Sequence, residues 1–201
     1  MNSRDWVDWI TFGASVLSAL SLIATLGIYL HQKKSERKKQ QDIDNKILPF
    51  ILLKSDSILS MLSSVSRDMS EIENYSHIEI EGCKLTLYFP KNIQGNFIDT
   101  VNLKCDLYDD FINKNRVLLS KELYLFTIEL DQLHSKAISE IHNFLNLWSH
   151  YRKYMEDTEG KGLSKEELII SIKNELTKCE QSIIKQKNIV FYTPKKGNYV
   201  S

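Results

Sequence analysis

From Ile10 to Leu30 the chain reads ITFGASVLSALSLIATLGIYL, about 21 residues without a charge, long enough at about 1.5 Å per residue to cross the roughly 30 Å hydrocarbon layer of a bilayer. Trp6 and Trp9 precede this run and Tyr29 lies at its end, where amphipathic rings settle at the headgroup level. The pattern predicts a transmembrane helix over 10–30, its apolar body carried by residues such as Ile10, Leu17, Leu20, Ile23 and Leu30. A cleaved signal peptide fits poorly. Arg4 is outweighed by Asp5 and Asp8, the apolar run is too long, and Tyr29-Leu30-His31-Gln32 is a poor cleavage context. A buried core helix would show a polar stripe, which this run lacks.

Beyond a polar stretch to Lys46, Ile47, Ile51, Ile58, Leu62, Val65, Met69 and Ile72 recur in steps of three, four and seven, one face of a helix that has Pro49 in its first turn. Alternation then replaces that period. Ile78 and Ile80 alternate with His77, Glu79 and Glu81, and Leu85, Leu87 and Phe89 with Lys84, Thr86 and Tyr88. With Gly82-Cys83 as a two-residue turn, this predicts a hairpin over 77–89 in which Ile80 faces Leu85, Ile78 faces Leu87 and Glu81 faces Lys84. A lone hairpin is marginal, and Ile189 to Thr193, stopped by Pro194, is the expected third strand.

Phe97, Val101, Cys105, Tyr108 and Ile112 are spaced as a second soluble helix. A third, from about Ser120, carries Leu123, Phe126, Leu130, Leu133, Ala137, Ile141, Phe144, Trp148, Tyr151 and Met155 over roughly 37 residues, or about 55 Å. Such length suits a bundle spine or a coiled-coil contact between copies. Residues 157–162 read as a turn. Ser164 with Glu167 forms a capping box for a last helix with Ile169, Ile172, Leu176, Cys179 and Ile183 on one stripe, antiparallel to the third.

The expected fold is therefore mainly α: a short extracytoplasmic segment 1–9, the span 10–30, a juxtamembrane stalk 31–46, a helical bundle with a small hairpin over 47–193, and a flexible tail 194–201. Composition agrees, since only seven glycines and three prolines leave few turns for an all-β fold. Charge adds a direction. Lys33, Lys34, Arg37, Lys38 and Lys39 follow the span with only Glu36 among them, whereas Arg4 is the one side-chain cation before it, so the N-terminus is expected outside and the domain in the cytoplasm, at a bacterial inner membrane. The same cations favour anionic lipid headgroups.

Overall charge is balanced, with 26 basic and 26 acidic residues, so no field points to nucleic acid. Cys83, Cys105 and Cys179 are widely spaced and are expected to act as small buried apolar residues in a reducing compartment. The chain contains no phosphate-binding glycine loop, nucleophile elbow or zinc-protease helix motif, and no Arg followed by a His at nuclease spacing. Asp131 and His134 form one i, i+3 pair without a second to complete a metal site, so no cofactor is implied. The serines at 55, 57, 60, 63, 64, 66 and 70 read as a solvated helix face.

Two features suggest binding. Thr11, Ser15 and Ala19 recur every four residues, a small-residue face that lets two membrane helices approach, and so predicts a homo-oligomer. His150, Tyr151, Arg152 and Lys153 gather cations and an aromatic ring and could hold an anionic ligand. The expectation is a non-enzymatic membrane-anchored interaction protein, its partners the bilayer, other copies of itself and a protein or small ligand. That layout matches small bacterial effectors of defence and toxin systems. A membrane-bound enzyme with an unrecognised site, or a scaffold subunit, are the alternatives.

Overall fold

The computed structural model describes residues 3–90, 98–104, 108–154 and 164–191, with the side chains of 3–5, 8, 153 and 154 left aside. The chain divides into two units, Met1–Lys46 and Ile47–Ser201. It is mostly helical. Helix α1 runs from Ser3 to Ser70, so Pro49 lies in a helix interior rather than in the first turn. Its missing N–H leaves the carbonyl of Asn45 without its helical donor.

The described residues of the first unit all belong to the N-terminal part of this helix. From Trp6 to Leu30 its described apolar side chains are exposed, Leu17 at 69% and Leu22 at 72%. It is a helix long and apolar enough to cross a membrane.

In the second unit the predicted stripe of α1 is buried: Ile47, Ile51, Ile58, Leu62, Val65 and Met69, with Ile72 in the 3-10 turn that follows. The hairpin has the register that its alternation demands. Strands β1 (His77–Glu81) and β2 (Lys84–Tyr88) pair antiparallel with Ile78 opposite Leu87, Ile80 opposite Leu85 and Glu81 opposite Lys84. Gly82, at φ +61°, turns between them in a conformation that glycine adopts without strain.

The third strand is not the expected one. Strand β3 is Ile98–Asn102, pairing antiparallel with β2 in the order β1-β2-β3, whereas Ile189, Val190 and Phe191 complete a helix. Val101, read as part of a helix, is a strand residue opposite Leu85 and buried against it. Of the rest of that predicted helix, only Tyr108 and Ile112 stay near one, at the start and inside of the short α2 (Asp109–Asn115). Phe97 and Cys105 lie outside the described residues, as do the turn 157–162 and the tail 194–201.

A 3-10 turn, Arg116–Leu118, leads to α3 (Lys121–Tyr154), and α4 (Lys165–Phe191) packs along α3. The two are antiparallel: Phe126 meets Phe191, Gln186 donates to Glu129, and Lys136 pairs with Glu175. The capping box at the start of α4 is formed in both directions, Ser164 N–H to Glu167 Oε2 at 2.7 Å and Glu167 N–H to Ser164 Oγ at 3.2 Å. The buried stripe of α4 begins at Leu168, with Ile169 half-buried beside it. One core joins α1, the inner sheet face, α3 and α4.

Candidate functional site

Three places carry chemistry or contact surface. In the first unit, the small-residue face is already satisfied internally: Thr11 Oγ1 donates to the Val7 carbonyl at 2.8 Å and Ser15 Oγ to that of Thr11 at 2.9 Å. Hydroxyls bonded to their own helix offer hydrocarbon no unpaired donor, and with Ala19 they leave a low surface. Ile10, Leu20, Ile23 and Leu30 are exposed like their neighbours, as are Lys33, Lys34, Arg37, Lys38 and Lys39. Lys33 Nζ lies 5.8 Å from the centre of the Tyr29 ring, a cation-π contact at the end of the apolar run.

The second place is a charge cluster that binds α2 to α1 and α3. Lys54 is 4% exposed, and its ammonium donates to Asp109 and, at 2.6 Å, to Asp131. Asp131 also accepts from Arg116. Burial alone would pull the Lys54 pKa down, but hydrogen bonds to the two carboxylates and their charge outweigh it, so the pKa stands above the ordinary lysine value. The alternation of two cations and two anions makes this a clasp. His134, one turn beyond Asp131, bonds the Leu103 carbonyl through Nε2 at 2.8 Å, so the Asp131/His134 pair is divided between two structural tasks. Among the described residues, no group of three or more His, Cys, Asp or Glu is arranged to hold a metal ion.

Reading the sequence for apolar periods missed this clasp, although a signal was present. The stripe of α1 skips from Ile51 to Ile58, and Lys54 and Ser55 fill the gap, both buried. Ser55 is thus an exception to the solvated serine face, its hydroxyl donating to the Leu52 carbonyl at 3.0 Å. Asp68 is a second buried charge, 2% exposed, with Oδ2 lacking a hydrogen-bond partner among the described residues. Burial and the charge of Asp99 raise its pKa, partly offset by Arg67. Burial, reinforced by Asp68 and Asp99, pushes the neighbouring Tyr75 phenol up to about 12. Of the cysteines, Cys179 is buried and its thiol pKa is raised by burial, but Cys83 is exposed at the hairpin turn, contrary to expectation.

The third place is a cleft of about 570 Å³ between β1 and α3. Strand β1 contributes His77, Ile78 and Ile80, and α3 contributes His142, Leu145, Asn146, Trp148, Ser149 and Arg152. Arg152 Nη1 donates to the carbonyls of Ser76 at 3.1 Å and Tyr75 at 3.4 Å, which fixes the guanidinium at the head of β1. The expected quartet is dispersed. Arg152 lines the cleft, Tyr151 is half-buried and stacked on Trp148 at 5.9 Å, His150 is exposed and outside the lining, and the Lys153 side chain lies outside the described residues. His77 of β1 and His142, about two turns before His150 along α3, line the cleft beside Arg152 instead.

Comparison with protein families, curated proteins and solved structures finds no match, so the functional reading rests on these residues.

Proposed function

We propose that the chain is a single-pass, membrane-anchored binding protein without catalytic activity, with its N-terminus outside and the domain of unit two in the cytoplasm. The supporting observation is the run of exposed apolar side chains from Ile10 to Leu30, which in water would be held against the hydrophobic effect along a whole helix. In hydrocarbon the same surface costs nothing, and the helix supplies every backbone hydrogen bond from within. The exposed cations from Lys33 to Lys39 set the direction and hold the following turns at anionic headgroups. Copies associate through the face of Thr11, Ser15 and Ala19, and the domain presents its surface to a protein or small ligand.

Alkaline carbonate washing of membranes tests the anchor. The native chain should stay in the pellet, while Leu17→Arg with Leu20→Arg, each costing roughly 2.5–3.5 kcal/mol at the centre of a span, should move it to the supernatant. Release of the native chain by carbonate would refute the proposal.

A further inference from the structure

The polar lining of the cleft forms one stripe. His142, Asn146, Ser149 and Arg152 follow one another along α3 in steps of four, three and three, which places them on a single helix face directed at β1. Elsewhere the face that α3 turns to the core is mostly apolar, from Leu123 through Leu130 and Ile141 to Phe144, with the hydroxyl of buried Thr127 satisfied by the Tyr124 carbonyl. Among the described residues the side chains of His142, Asn146 and Ser149 make no hydrogen bond, and Arg152 uses only Nη1, leaving Nε and Nη2 to donate elsewhere. His77 brings another ring nitrogen pair from the strand, and among the described residues no acidic side chain lines the cleft. Across from these groups lie Ile78 and Ile80 of β1, and Leu145 sits beside the stripe on α3, so that the three give the cleft its aliphatic surface.

We infer that this cleft binds a phosphate monoester on a flat organic body, of the size of a mononucleotide. The inference rests on reading the domain as a binding module and names the ligand class that module takes. The phosphate lies against Arg152 and the two histidines, where Nε and Nη2 of the guanidinium offer a paired donor edge suited to its oxygens. The ring lies on Ile78, Ile80 and Leu145, and Asn146, with both a donor and an acceptor, reads its edge. The cleft volume falls within the roughly 300–1,000 Å³ of small-molecule sites, which combine an apolar wall with a few convergent polar groups in this way.

Of the three tryptophans only Trp148 belongs to unit two, so the full chain in detergent micelles with Trp6→Phe and Trp9→Phe reports on the cleft by its fluorescence. The four ribonucleoside monophosphates are the probes, with their nucleosides and inorganic phosphate for comparison. At least one monophosphate should change the emission saturably, and its nucleoside and inorganic phosphate should each bind about tenfold more weakly or worse. Ser149→Glu, which places a like charge beside the phosphate on an exposed helix position, should weaken binding by about tenfold or more without moving the melting temperature. Because Arg152 also fastens β1, Ser149→Glu and His142→Ala are the variants that separate binding from folding. No saturable response to any of the four at millimolar concentration would overturn the inference, as would equal binding of the nucleoside or an unaltered affinity in Ser149→Glu. Carbonate extraction reads the anchor without reference to the cleft, so either idea can fail alone.

Discussion

Helix α1 contains two stretches rich in aliphatic residues, and they differ in what surrounds them. Between Ile10 and Leu30 such residues occupy every side of the helix and are exposed; between Ile47 and Met69 the stripe of Ile47, Ile51, Ile58, Leu62, Val65 and Met69 is buried, while Leu53, off that stripe, is exposed. The amount of apolar surface does not distinguish the two. Its distribution does: a helix apolar all round fits an apolar solvent, and a helix apolar on one side fits a protein core. The same substitution should therefore destabilise the domain in one stretch and leave it unchanged in the other.

The sharpest contrast is Leu62→Ala against Leu20→Ala. The first opens a cavity in the core and should cost roughly 2–5 kcal/mol of domain stability, read by thermal melting of the full chain in micelles. Leu20→Ala should leave that transition where it was. A melting loss of equal size in both would erase the distinction between the stretches.

The next largest effect concerns the one cation on the buried stripe. Lys54→Ala leaves Asp109 without its lysine partner and Asp131 with Arg116 alone, each carboxylate a third or so exposed, and should cost about 2–3 kcal/mol. None of the cations from Lys33 to Lys39 should matter to the melt when replaced singly. Changed pH gives a smaller and directional test. An unfolded lysine titrates near about 10.4, and Lys54 titrates higher when folded, so its stabilisation is complete below that value and is lost as pH rises through the folded one. Tyr75 acts in the same direction, because its folded pKa of about 12 exceeds the unfolded one near about 10. Alkaline melting curves should accordingly fall steeply in the native chain, less so in Lys54→Met and in Tyr75→Phe.

The smallest effect should be a gain. The raised pKa of Asp68 means that its ionised form is disfavoured in the fold: the penalty is absent below the unfolded value near about 3.9 and present in full above the folded one. Asp68→Asn should raise the melting temperature at neutral pH and lose that advantage in acid. A variant less stable than the native chain at neutral pH would show that the carboxylate has a partner that compensates its burial.

Much of this was legible in the sequence because it depends on near neighbours. The hairpin register follows from Ile78, Ile80, Leu85 and Leu87 with glycine at one turn position, and the cap of α4 from Ser164 and Glu167 three residues apart. Strand β3 was hidden because its inward positions are Asp99 and Val101, so the alternation that marks a strand is broken by a carboxylate, while Val101 and Ile112 happen to fit a helical spacing. The exposed edge of β2 selects that segment, and selection by a distant edge leaves no local trace. Ile189 to Phe191 has β-branched and aromatic residues, yet it continues α4 and sets Phe191 against Phe126 at 5.5 Å. The cleft was half visible, since Arg152 lies within an evident cationic cluster but its companions His77 and His142 arrive only through the packing of β1 on α3.

Labelling with a membrane-impermeant maleimide tests the central claim, that the uncharged helix crosses the bilayer with its N-terminus outside. Cys83 is exposed and Cys179 buried, so in a Cys105→Ser background Cys83 reports on the domain, and Ser3→Cys in a Cys83→Ser, Cys105→Ser background reports on the other end. In intact spheroplasts the cysteine at position 3 should react at once and Cys83 only after permeabilisation. Reaction of Cys83 before permeabilisation, or of both positions in the same compartment, would contradict the account.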